Sequence, residues 1–187
     1  MSKGEGMNST EKKQIGKLAI AHGLKDFKWM NPNSIILGHW VRMKCSYGCP
    51  GYGKRKTCPP YVPSVEECIK FFKEYKQGLF FHFAKKLKDP EMRHLWSKEV
   101  NQRMLDLERG VFLSGYQKAF VFPQAPCRLC KNCTGTAGGC RQPYLSRPTL
   151  EAFGVDVYST AQRMGYPIQV VKDYHEEMNR YGLLLVE

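Results

Sequence analysis

The sequence predicts an α+β fold in a single domain, with a small mixed or antiparallel sheet, flanking helices and two cysteine-rich metal-binding loops. Three observations predict it. Short branched and aromatic runs are separated by segments of helical period. A chain of 187 residues with 42% hydrophobic content is long enough to bury one core. Seven of the eight cysteines fall in two tight groups that contain several glycines.

In chain order, residues 1–12 read as a mobile polar lead-in and 13–187 as the cysteine-rich domain. Ser9 or Thr10 is the expected cap of a first helix reaching about His22, with Gly23 as its stop. Ile15, Leu18, Ala19 and His22 share a face of it. Residues 35–44 are rich in branched and aromatic side chains and read as a strand. Ser64 and Glu67 form a capping-box pattern for a helix ending near Gly78, and residues 79–83 follow as a buried strand. Asp89 and Pro90 pair an N-cap with proline at the first helical position. The long helix after them carries a stripe of Met92, Trp96, Val100, Met104, Leu107 and Val111 and ends near Leu113, with Gly115 beyond it. Residues 119–122 read as a strand that delivers the chain into the second cysteine group. Pro148 and Asp156 each start a short helix, the latter closed by Gly165. Residues 168–171 and 183–186 are the last expected strands.

No segment approaches the ~20 apolar residues that span a bilayer, and the first residues lack the apolar core of a secretory signal. The expected location is therefore the cytoplasm, where thiols stay reduced and clustered cysteines favour metal chemistry over disulfides. Lys and Arg number 29 against 17 Asp and Glu, a net charge of +12. Two four-thiolate sites around [4Fe–4S] cores would lower it to about +8.

The sharpest pattern is Cys127-x2-Cys130-x2-Cys133-x6-Cys140. Cysteines at two-residue intervals let one loop wrap three corners of a cubane, and a fourth must come from outside that run. Cys140 supplies it nearby. Gly135, Gly138 and Gly139 lie between, and their N–H groups can bond to sulfur. Zinc is the alternative metal, although zinc knots usually pair two separated Cys-x2-Cys units.

Cys45-x3-Cys49-x8-Cys58, with Gly48, Gly51 and Gly53, forms a second wrapped loop. Its start resembles radical enzymes that use S-adenosylmethionine, but their third cysteine comes much sooner. Gly48-x4-Gly53-Lys54 matches most of a P-loop, yet Arg55 stands where Ser or Thr should hold magnesium. The fourth ligand is unassigned. Cys68 is a candidate, although it shares an apolar helix face with Val65, Phe72 and Tyr75, where a buried cysteine is ordinary. His39, His82, an open iron, or exchange of Cys58 or Cys140 between sites remain alternatives.

Lys44, Lys54, Arg55 and Lys56 bracket the first group, and Arg128, Lys131 and Arg141 the second. They read as a solvated basic surface, or as charge that stabilises a reduced cluster and steers an acidic redox partner. Tyr47, Tyr52 and Tyr61 suit either shielding of a cluster or stacking on bases.

The run from Cys45 to Cys68, CSYGCPGYGKRKTCPPYVPSVEEC, together with CRLCKNCTGTAGGCRQPYLSRPTLEAFGVDV, resembles an uncharacterised cysteine-rich family described as predicted metal-binding proteins. The resemblance runs from about Ile35 to the C-terminus and includes the Arg147-Pro148 segment leading to Glu151, Ala152 and Gly154. It implies metal binding by Cys45, Cys49, Cys58, Cys127, Cys130, Cys133 and Cys140, and no particular reaction.

The residues therefore point to an iron–sulfur protein with one or two [4Fe–4S] clusters, acting in electron transfer or as a redox subunit. The alternatives are an enzyme that binds substrate at an open iron of a three-cysteine cluster, and a zinc-stabilised nucleic-acid-binding module. No carboxylate pair or nucleophile–base motif assigns catalytic residues. An acidic redox protein is the expected partner, nucleic acid is a second, and a membrane is not expected.

Overall fold

Asn8 opens the first helix, α1 (Ser9–Ala21), by accepting from the N–H groups of Thr10 and Glu11, while the Glu11 carboxylate accepts from the Asn8 N–H. This reciprocal box satisfies N–H groups that have no partner inside a helix. The cap thus falls one residue before the expected Ser9 or Thr10, and Gly23 ends the helix at φ +75° as expected. The computed structural model describes residues 6–136, 138–173 and 175–187, so residues 1–5 of the expected lead-in lie outside it. Met7 is buried in the core and α1 starts at Ser9, so residues 7–12 of that lead-in belong to the folded chain.

Among the described residues, four antiparallel strands form one sheet in the order β1-β2-β4-β3: β1 (Phe27–Met30), β2 (Gly78–Lys85), β3 (Phe120–Phe122) and β4 (Met178–Leu185). The described residues also form five α-helices, namely α1, α2 (His39–Gly48), α3 (Val65–Lys73), α4 (Pro90–Leu113) and α5 (Val157–Arg163). The α+β expectation holds, and the sheet is antiparallel throughout.

Both faces of the sheet are buried, and the pleat divides them. Leu79, Phe81, Val121 and Leu184 pack with α1 and α4 through Ile15, Ala19, Met104, Leu107 and Val111. Phe80, Phe122, Leu183 and Leu185 pack on the other side with Cys68 and Phe72 of α3, with Phe153, and with Ala161 of α5. Successive strand residues point to opposite faces, so nearly continuous apolar runs are what a doubly covered sheet requires. The α4 stripe is used from Val100 to Val111, whereas Met92 lies outside the packed face and is half exposed.

Three local expectations fail, and one strand was not expected. Residues 35–44 form no strand: Leu37 makes a single bridge to Val155, and α2 begins at His39. The Gly38 N–H donates to the Gly154 carbonyl, and the Asp156 N–H to Ile36, so distant loop segments take the hydrogen bonds a sheet would have used. Residues 168–171 are extended without strand pairing, and Val170 is largely exposed. Pro148 starts no helix; a single 3-10 turn follows at Glu151–Phe153. Strand β1 was not expected, because four residues with one buried side chain carry little periodic signal. The capping boxes and caps at Ser64, Asp89 and Asp156 are present, although α3 ends at Lys73, before the expected Gly78.

Gly182 marks a close approach of sheet and helix. A Cβ there would meet the Met104 methyl carbon at 2.5 Å and the Phe122 carbonyl at 3.0 Å. We expect Gly182→Ala to destabilise the fold by about 1–3 kcal/mol through overpacking, measured by chemical denaturation. An unchanged midpoint would contradict the close approach of α4.

Candidate metal centre

The first cysteine group is carried by α2. Cys45 lies in its last turn and Cys49 is its C-terminal cap. Arg42, one turn earlier, donates from Nη1 to the carbonyls of Pro63 (2.9 Å) and Ala152 (2.8 Å), tying α2 to the approach of α3 and to the Glu151–Phe153 turn. Gly154 is left-handed at φ +81°, which permits that turn to bring its carbonyl to Gly38. After Cys49 the chain runs through turns to Cys58: the Gly53 N–H donates to Pro59, and the Cys58 N–H to Arg55.

These turns bring the three thiols together. Cys45 and Cys58 each feel the charge of Cys49 and of nearby side chains, and the Gly51 N–H points at the Cys49 sulfur (3.4 Å). Burial pushes the Cys45 and Cys58 thiols up, and the guanidinium groups of Arg42 and Arg55, respectively, oppose it. An N–H aimed at sulfur stabilises the thiolate that a metal requires.

The second group follows β3. Pro123 ends the strand, and the Asn101 amide on α4 donates to the Ala125 carbonyl (2.9 Å), fixing the entry to Cys127. Cys127, Cys130, Cys133 and Cys140 form one neighbourhood, since the Cys127 thiol is raised chiefly by burial and then by the charges of the other three. The Leu129 N–H opposes that rise. Thr134 and Thr136 close the turn through bonds with Gly139.

The two loops touch. Arg55, the residue that broke the P-loop pattern, donates from Nε to the Cys127 carbonyl (3.2 Å), and the Cys133 thiol faces the Lys54 carbonyl at 3.8 Å. Cys58 also feels the charge of Cys127. Arg128 lies beside Arg55, its guanidinium held below the usual arginine range by burial and by that neighbouring charge, and its Nε is buried with no partner. Among the described residues, no three His, Cys, Asp or Glu side chains converge closely enough to hold a single metal ion. The donor set nonetheless fits a sulfur-bound group of net negative charge: the thiols are neighbours, backbone N–H groups face sulfur, and a buried arginine nitrogen beside them lacks an acceptor.

Cys68 is placed elsewhere. It is fully buried among Phe72 and Leu150 of the core, its sulfur faces the Pro63 carbonyl at 3.8 Å, and burial pushes its thiol up to about 11. No other cysteine contributes to that shift. We expect Cys68→Ala to leave metal content unchanged and to cost about 1 kcal/mol or somewhat more from lost packing. Metal analysis that loses a whole site in this variant would make Cys68 a ligand after all. The two candidate histidines also bond elsewhere: His39 pairs with Glu66 at 3.1 Å on the surface, and His82 is held between Asp26 and Asn179, each at 2.7 Å.

A cavity of about 510 Å³ opens beside the first group, lined by all three of its cysteines and by Trp40, Tyr52 and Glu151. Gln124 and Arg180 also line it. Neither carried a sequence signal: Gln124 is a lone polar residue between prolines, and Arg180 one more arginine in a basic chain. Only the folded chain brings them to the thiols. Glu151 acts electrostatically on both Cys45 and Arg180.

Among the described residues, no helix is long and apolar enough to cross a membrane. Residues 28–186 match the family model described as Predicted metal-binding protein (DUF2284), a span that holds both cysteine groups and the whole sheet apart from Phe27. No curated protein and no solved structure matches the chain.

Proposed function

Because the chain belongs to the family of predicted metal-binding proteins, we propose that it is an iron–sulfur protein handling single electrons, with two unlike sites. Cys127, Cys130, Cys133 and Cys140 hold a [4Fe–4S] cluster on four thiolates. Cys45, Cys49 and Cys58 hold a second on three, with its remaining position turned to the cavity. One observation carries the reading: all three thiols of the first group line the cavity, none of the second group does, and Cys68 is sealed in the core away from both.

Such a cluster supplies one-electron chemistry and, at an iron without a protein thiolate, a position that can bind a ligand. The chain contributes the surroundings. Gly51 and Leu129 turn N–H groups toward Cys49 and Cys127. Arg55 and Arg128 place positive charge between the sites, which favours the more negative reduced state and raises the potential. The contact of the two loops gives the sites a short path for electrons. Exposed Lys54, Lys131 and Arg141 on the rim suit an acidic redox partner, whose association would weaken as salt rises.

Anaerobic purification with iron, sulfide and zinc quantification tests the proposal. The expected result is about eight iron and eight sulfide per chain, with an electron paramagnetic resonance signal that changes when a small ligand is added. Stoichiometric zinc without sulfide overturns it.

A further inference from the structure

We propose that the cavity beside the first cysteine group binds a small organic carboxylate, its anionic end held by Arg180 and Gln124 and its apolar body lodged among Trp40, Val155, Val157 and Ile168. This deepens the proposed function by naming a ligand class for the same site. It rests on that reading only for the ligand's place beside bound iron.

The volume, about 510 Å³, is in the range of small-molecule sites. The cavity opens where β3 stops: Phe122 is the last residue paired with β4, and beyond it Asn179, Arg180 and Tyr181 of β4 line the space. Gln124 stands at the same point on the other side. It is 7% exposed, and neither its Nε2 nor its Oε1 has a hydrogen-bond partner. A buried amide left in that state is costly, and polar groups inside proteins are nearly always satisfied.

Arg180 is the second unmet group. Its guanidinium donates to the Ser97 hydroxyl (3.2 Å) and weakly to the Met178 sulfur (3.6 Å), and it lies 5.9 Å from the Trp96 ring centre. None of these carries negative charge, and among the described residues no carboxylate lies within ion-pair distance of it. Burial and the charges of Arg93 and Arg128 act against it, and only Glu151 supports it from longer range. A half-buried cation without a counter-ion calls for an anion from outside.

The balance of charge selects the anion. Arg180 and Lys44 are the cations of the lining and Glu151 and Asp156 its carboxylates, so the walls are close to neutral and suit one negative charge at Arg180 and the Gln124 amide better than a dianion. A carboxylate can accept from the guanidinium fork and from the Gln124 amide at once. The apolar remainder of the lining calls for an organic body and excludes a bare inorganic ion as the best fit.

The test is calorimetric titration of the anaerobically purified full chain with benzoate, benzamide and inorganic phosphate, with iron quantified on the same samples. Benzoate is expected to bind, and benzamide, its neutral counterpart, roughly ten- to a hundredfold more weakly. Arg180→Met should weaken benzoate by roughly tenfold or more and leave benzamide nearly unchanged, and Gln124→Leu should weaken benzoate by roughly tenfold or more. No benzoate binding, equal binding of benzoate and benzamide, or tighter binding of phosphate overturns the proposal. So does benzoate affinity that survives both substitutions. The comparison of the two probes on the unaltered chain stands even where a variant fails to fold. Iron-free protein that still prefers benzoate would keep this site and remove the iron–sulfur reading; iron-loaded protein indifferent to benzoate would do the reverse.

Discussion

Cys127→Ala and Cys130→Ala should each remove about half the bound iron, roughly four atoms per chain, and lower the melting temperature by several degrees. The effect on stability follows from where these residues sit. Between Phe122 at the end of β3 and Glu151 at the 3-10 turn, the described chain has no helix or strand. A loop of that length inside a folded domain must be held by something other than backbone ladders. Its direct anchors are few: Asn101 at Ala125, Arg55 at the Cys127 carbonyl, Glu108 at Arg147, and the threonine bonds around Gly139. In the proposed protein the metal is the main anchor, so ligation free energy is partly folding free energy. The measurement is metal analysis with thermal unfolding followed by circular dichroism. Iron and melting temperature both unchanged in both variants would remove the second group from the metal-binding residues. Cys68→Ala, which deletes a sulfur from the core, should show the opposite pattern of retained iron and a small loss of stability.

Glu108→Ala should destabilise the fold by about 3–5 kcal/mol. Glu108 is buried on α4, and its Oε1 accepts both from the Val121 N–H (2.9 Å) and from Arg147 Nε (2.8 Å). The first bond satisfies a donor on the outer side of edge strand β3. The second neutralises a mostly buried guanidinium that also donates to the carbonyls of Tyr144 and Ser146 and lies over Phe120. Truncation leaves a buried N–H without an acceptor, an arginine without its counter-ion, and a void against the sheet. Glu108→Gln keeps an oxygen in place and should cost clearly less than Glu108→Ala. Chemical denaturation of the two variants separates these outcomes; equal and small losses would mean that water replaces the carboxylate at little cost. Because Arg147 closes the segment after Cys140, Glu108→Ala should also loosen metal retention at the second group.

The elements that local chemistry specifies were legible. Ser64 with Glu67, Asp89 with Pro90, and Asp156 with Gly165 mark helix ends by side-chain hydrogen bonds and dihedral preferences that act within a few residues. Val100 to Val111 kept its helical period because α4 packs one face against the sheet. The misread segments are those whose partners lie far along the chain. Residues 35–44 look like a strand by composition, but contacts from Gly154 and Asp156 settle them into a bridge and a helix. Residues 168–171 carry strand-like side chains with no neighbouring strand to pair with.

The candidate site divides in the same way. The cysteine spacings, and the likeness to metal-binding proteins that goes with them, are properties of contiguous sequence, because one loop must reach several corners of one metal group. What the sequence determined by itself is therefore a pair of thiol-rich loops in a basic α+β domain. The tertiary structure alone decided that the loops touch, that Cys68 belongs to the core, and that Gln124 and Arg180, fifty-six positions apart, reach the same cavity as Cys45. The physical reason is range: caps and ligand loops are set by neighbours in the chain, whereas burial, unmet hydrogen bonds and the shape of a cavity exist only after distant segments have packed.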